Sequence, residues 1–264
     1  MTPSEQEVWE QILREPEREE PRWRYARLLK ERGDPYGEFI EMQLKQAQLQ
    51  RDGDHDMAES VRLSSESDRL LRQHGAEWAK AVAPLVKEYR FQRGFPEIVT
   101  LDADEFVRRA EAIYRVAPVV HVALDKAKGA LGEVCASPHM DRILALELFD
   151  RRLEDADAIA LAESDHVYNL RWLDVGVNSI GMAGLEALVA SPKLPSLQWV
   201  NFAGNRAPDP CDRPGGVDGT FICTFERNPL GKELEKKYGP KRWFHWQPYS
   251  VFLMRPPSAV FIGP

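Results

Sequence analysis

At 264 residues, 43% hydrophobic and 29% charged, the chain is long enough for one large or two modest domains with a substantial core. A net charge of −7 argues against wholesale nucleic-acid binding through a basic surface, and no apolar run approaches the length of a membrane span. The acidic opening MTPSEQEVWEQ lacks the basic and apolar stretches of a secretion signal, and Cys135, Cys211 and Cys223 form no C-x-x-C pair. These features predict a reduced cytoplasmic protein.

Residues 1–90 read as helices. Ser4 and Glu7 form a capping-box pattern before Val8, Trp9, Ile12 and Leu13, an apolar stripe at helical spacing that Pro16 ends. Pro21 suits a first helical turn, Tyr25, Leu28 and Leu29 supply a buried face, and Gly33 stops the helix. Asp34-Pro35 restarts a third helix carrying Phe39, Ile40 and Leu44, and RDGDHD (residues 51–56) reads as a solvated loop. A fourth helix is expected to about Gln73, with Gly75 separating it from a fifth around Trp78.

From about Phe91 the texture changes. FPEIVTL alternates and is rich in branched residues, as in a strand, and EFVRRAEAIYRV has helical spacing at Phe106, Ala110, Ile113 and Tyr114. A repeat then emerges. Leu170, Leu173, Val175 and Asn178 recur 27 residues later as Leu197, Val200, Phe202 and Asn205, and 27 earlier as Ile143, Leu146, Leu148 and Arg151. A step of 24 from Ile143 reaches Val119, Val122, Leu124 and Ala127. The approaches SPHMDRI, SDHVYNL and SPKLPSL precede the apolar triplets at one register. Beyond Pro208 the repeat stops. Lys232 to Tyr238 suits a last helix and Arg242 to Trp246 a strand capping the open edge, in a segment with eight basic and six acidic residues.

The pattern L-x-x-L-x-L-x-x-N followed by an amphipathic helix (Gly184, Leu185, Leu188) resembles leucine-rich repeats of the long, ribonuclease-inhibitor-like type. EPRWRYARLLKERGDPYGEFIEMQ, continued by LLRQHGAEW and FQRGFPEIVTL, resembles the bacterial repeat-companion domain, with Arg27-Leu28 standing where that family usually has Asp-Trp. Together the two resemblances span roughly Val8 to Asn205. They imply an α/β protein: a helical bundle over 1–90, a short leucine-rich-repeat solenoid over 91–207, and a C-terminal cap over 208–264. The solenoid would carry a parallel sheet on its concave face and helices on its convex face. Only Asn178 and Asn205 occupy the Asn slot, so the units with Arg151 and Ala127 are expected to have irregular turns.

Residues alternating with the core triplet would point onto the concave face. Stacked, they give columns of His121, Ala145, Trp172, Trp199, then Ala123, Glu147, Asp174, Asn201, then Asp125, Phe149, Gly176, Ala203. Aromatic rings beside an acidic column favour a basic segment of a protein partner. The expected contacts are Trp172, Trp199, Phe149, Glu147, Asp174, Asn201, His121 and Asp125. The chain has no G-x-G-x-x-G, Walker-type loop or H-E-x-x-H, and its six histidines are scattered. The reading is a non-catalytic binding module, a regulator or an inhibitor or immunity protein, with no cofactor and no metal. The alternatives are an enzyme or modification factor with Cys211, Asp212, Asp218 and His245 in one pocket, and a structural scaffold subunit. RGDP (residues 32–35) is accounted for by a helix stop and restart, and Cys135 is expected to face the core.

Overall fold

A computed structural model describes residues 2–52, 56–215 and 224–245. It divides into two compact units, the first comprising the described residues up to Leu101 and Arg109–Val122, the second Asp102–Arg108 and the described residues from Ala123 onward. Six strands run in chain order through an open, mostly parallel sheet, and the described residues also form nine α-helices.

The first unit begins with four helices, α1 (Pro3–Arg14), α2 (Glu20–Glu31), α3 (Pro35–Asp52) and α4 (Met57–Trp78). The capping box of α1 lies two residues before Ser4 and Glu7: Glu5 N–H donates to Thr2 Oγ1 (3.3 Å) and Thr2 N–H to Glu5 Oε2 (2.7 Å). Pro3 then takes the first helical turn, where its missing N–H is harmless. Gly33, with φ 75°, follows the end of α2. The expected break at Gly75 does not occur. A mid-helix glycine costs only about 1 kcal/mol, and α4 continues through it to bring Trp78 against Tyr36 (ring centroids 4.5 Å) and Phe39 (4.9 Å). Four helices therefore stand where five were expected. Their core is Val8, Ile12, Tyr25, Leu29, Ile40 and Leu44 with Phe95.

Phe95 arrives from a hairpin, β1 (Glu88–Gln92) and β2 (Phe95–Asp102), turned by Arg93 (φ 48°) and Gly94 (φ 88°). Three charged side chains are sealed beside it. Glu97, Arg22 and Arg93 are 0–1% exposed. Arg93 Nε and Nη2 each donate to the Glu97 carboxylate at 3.0 Å, and Arg22 Nη2 pairs with Glu97 as well. Arg22 also donates to the Arg93 and Pro16 carbonyls (3.2 and 2.6 Å), and its guanidinium lies 5.0 Å over the Phe95 ring. The two arginines thus join the α1–α2 loop to the hairpin. Burial pulls the Arg22 guanidinium down to about 10, against the pull of Glu97.

After α5 (Ala103–Val116) and β3 (His121–Asp125), the second unit repeats a short strand and a helix: α6 (Leu131–Cys135), β4 (Ala145–Glu147), α7 (Asp155–Glu163), β5 (Trp172–Asp174), α8 (Met182–Ala190) and β6 (Trp199–Asn201). β4, β5 and β6 pair in parallel with Ala145, Trp172 and Trp199 in register. Each strand is only three residues long, so the turns fix the register. Lys126, Asp150, Val177 and Gly204, spaced by 24, 27 and 27 residues, all have positive φ (50°, 54°, 54° and 76°). Ser164 and Ser191 accept the N–H two residues on (3.1 and 3.0 Å) and donate to the carbonyls of Cys135 and Ala162 (2.6 and 2.5 Å).

The Asn slot shows how neighbouring turns lock. Asn178 Nδ2 donates to the carbonyls of Leu148, Val175 and Gly176 (2.9–3.1 Å), and its Oδ1 accepts from Arg151 N and Leu153 N (both 2.9 Å). Asn205 donates to Val175 and Phe202 (2.8 and 2.9 Å) and accepts from Ile180 N (3.0 Å). The turn at Arg151 departs from its neighbours as expected, since Arg152 adds a positive φ (59°) with no counterpart at Ser179 or Arg206, but its bonding follows the same scheme. Arg151 Nε donates to Leu124 O (2.9 Å) and Nη1 to Phe149 O (2.8 Å), the in-phase counterparts of the Leu148 and Gly176 carbonyls. A guanidinium cannot accept, and Asp157 Oδ1 takes the N–H of Gly129 instead (2.8 Å). Two residues share the work of one asparagine.

Cys135 lies on α6, 4% exposed, and burial pushes its thiol up to about 12. Past the repeats, β7 (Arg213–Gly215) pairs antiparallel with β8 (Thr224–Glu226), and α9 (Pro229–Tyr238) follows. The strand expected from Arg242 is a 3₁₀ turn, Arg242–Phe244, because Phe244 N–H bonds back to Lys241 O (3.1 Å); Trp246 lies outside the described residues.

Candidate functional site

The sequence columns meet on β4, β5 and β6. The tryptophans stack as expected, with Trp172 and Trp199 ring centroids 4.5 Å apart and planes 6° from parallel. Their exposure differs from the expectation. Trp172 on the middle strand is 1% exposed and cannot be an open contact, whereas Trp199 on β6 is half-buried. A residue flanked by strands on both sides loses its edges to its neighbours. His121 departs further. It opens β3, whose first four residues are all buried, and is 0% exposed.

Glu147, Asp174 and Asn201 form the second row, in register across the three strands. Asp174 is 7% exposed. Its Oδ1 accepts from Gly176 N–H and from Asn201 Nδ2, both at 2.9 Å. Burial nevertheless lifts its carboxyl to about 6, and the nearby Glu147 charge adds to the lift. Phe149, 40% exposed, lies beside Gly176, where any Cβ would meet the Asn201 amide and the Phe149 ring at 3.1 Å. Asp125 is engaged by Arg151 Nη2 at 2.8 Å.

One exposed residue escaped the sequence columns. Val177 is 46% exposed and sits at φ 54°, a region β-branched residues avoid. The signal was available: Val177 stands 27 residues before Gly204 and so inherits that slot's left-handed backbone.

No protein-family model matches the chain, and neither known curated proteins nor solved structures provide a match.

Three of the four residues of the alternative catalytic pocket lie close together, while Asp218 falls outside the described residues. Asp212 Oδ2 is 3.6 Å from His245 Nδ1 and from Arg227 Nε, and Glu235 holds His245 Nε2 (3.2 Å) and Arg227 Nη2 (2.5 Å). Arg227 also touches His245 directly. Cys211 Sγ donates to Trp243 O (3.4 Å), and Asp212 Oδ1 caps the N–H of Asn228 (2.9 Å). These groups satisfy one another and tie the start of α9 to the 3₁₀ turn, which is the work of a structural latch. His166 meets Asp141 (3.1 Å) rather than a metal set, and among the described residues no three His, Cys, Asp or Glu side chains are arranged to hold a metal ion. None of the described helices is long and apolar enough to cross a membrane.

Proposed function

We propose that the chain is a non-catalytic, cytoplasmic protein-binding module that receives a basic segment of a partner on the sheet face of its second unit. In this reading the second unit is a short leucine-rich-repeat solenoid, and the helices before it are the companion domain their sequence resembles. The solenoid assignment draws support from the 27-residue strand step, the in-phase positive-φ turns and the Asn178 and Asn205 bonding pattern. The binding assignment rests on one observation above all: the partly open Trp199 and Phe149 stand beside the carboxylates of Glu147 and Asp174, which are paired in register on neighbouring strands.

The contact set differs from the sequence columns. Trp199, Phe149, Glu147 and Val177 offer the surface, while Trp172 and Asp174 lie behind it as support. An incoming lysine or arginine would place its charge over the two carboxylates and its stem against the rings, and removal of water would strengthen both contacts. An inhibitor or immunity protein fits this mode, acting by occlusion.

The test is affinity capture from an extract of the producing cells, comparing wild type with Trp199→Ala and Glu147→Gln. Both variants should keep the wild-type circular dichroism and lose the partner, and capture by wild type should weaken with added salt. Undiminished capture by both variants would discard the reading.

A further inference from the structure

A second concave feature lies away from the sheet face, where the α8-to-β6 connection meets the loop after α9. It is a cleft of about 340 Å³ floored by Leu188, Leu194, Leu197 and Trp243, which are 2–8% exposed. That volume lies within the roughly 300–1,000 Å³ range of small-ligand sites. Lys241 and Arg242 also line it.

These two cations sit together on one cleft. Nearby carboxylates are already committed: Glu235 to Arg227 and His245, Glu186 to Lys237 and Tyr238, and Asp165 to Lys193. Among the described residues no carboxylate pairs with the Lys241 or Arg242 side chain, although Glu235 Oε1 accepts from the Lys241 backbone N–H (3.2 Å) and the chain as a whole carries −7. Lys241 is half-buried, and loss of water holds its ammonium below the ordinary lysine range with no anion to offset that loss. The remaining wall includes Pro192, Pro195 and Pro240, which have no N–H to offer. Such a lining suits a single anionic head on an apolar body better than a polar polyanion, which needs many donors.

We propose that this cleft binds a small apolar monocarboxylate, its carboxylate between Lys241 and Arg242 and its hydrocarbon body on Leu188, Leu194 and Trp243. The site is independent of the sheet face and does not rest on the protein-binding reading.

Octanoate is the probe, with octylamine and octanol as charge-reversed and neutral counterparts. Titration into the full-length protein followed by two-dimensional amide NMR should give saturable shifts confined to residues around Leu194, Lys241 and Trp243, with octylamine inert and octanol at least tenfold weaker. The double variant Lys241→Gln/Arg242→Gln changes only accessible groups, and it should lose about tenfold or more in octanoate affinity, which is the loss of about 1.4 kcal/mol or more. Leu194→Trp should fill the floor and also exclude octanoate. No saturable octanoate binding, equal binding of octanol, or wild-type affinity in the double variant would each overturn the assignment.

Discussion

Truncating the two stacked tryptophans separates support from recognition. Trp172 is 1% exposed and stacked on Trp199 at 4.5 Å, so Trp172→Ala removes a large buried ring and leaves a cavity bounded by strands on either side. Such deletions cost about 3–5 kcal/mol. Trp199→Ala removes a half-buried ring, so it loses part of its area and the stacking preference of about 0.5–1.5 kcal/mol; about 1–2 kcal/mol is expected in total. Urea denaturation followed by far-ultraviolet circular dichroism reads both. Trp172→Ala should lower the midpoint at least twice as far as Trp199→Ala. Binding should show the reverse order, with Trp199→Ala losing the partner under conditions where it is fully folded, and folded Trp172→Ala keeping part of it. Equal destabilisation by the two variants would refute the assignment of Trp172 to the interior.

Other consequences are equally concrete. Asp174, with its carboxyl near 6 when folded and 3.8 as the reference, binds more protons folded than unfolded between those values. Its contribution is thus most favourable below about pH 4 and is lost as pH rises through 6. Asp174→Asn keeps the geometry of the Gly176 and Asn201 bonds and should raise unfolding stability by about 1–3 kcal/mol at pH 7.5 but little at pH 3.5, and an equal gain at both would contradict the linkage. Asn178→Ala orphans buried groups in two neighbouring turns and should cost about 3–5 kcal/mol in denaturant titrations. Glu97→Gln leaves Arg22 and Arg93 under-compensated inside the first unit and should cost about 3–5 kcal/mol, whereas Glu77→Gln, at an exposed pair, should cost under about 1 kcal/mol in the same assay.

What the sequence reveals well is periodic. The serines at 137, 164 and 191, the apolar triplets and the two asparagines announce strand register because each turn must satisfy the same backbone groups. What it conceals is which neighbour a side chain meets. Alternation assigns Trp172 to one face of β5 but cannot say that its flanks are occupied, and Glu97 sits in a strand reading without its arginines, one of which is 75 residues away. The Gly75 expectation fails because a local penalty of about 1 kcal/mol is smaller than the packing of Trp78 one turn later.

Arg151 explains why the repeat weakens in sequence sooner than in structure. The turn needs donors for the preceding strand's carbonyls and an acceptor for the next N–H, and asparagine supplies both in one side chain. At this unit the donor is Arg151 and the acceptor Asp157, six residues away on α7. The split leaves Arg151 Nη2 for Asp125 (2.8 Å), and the same cation also draws the Asp174 carboxyl down, against the effect of its burial. Arg151→Asn tests this partition: it should retain the turn at a cost of about 1 kcal/mol while freeing Asp125, and salt-sensitive binding of a basic partner should tighten rather than weaken.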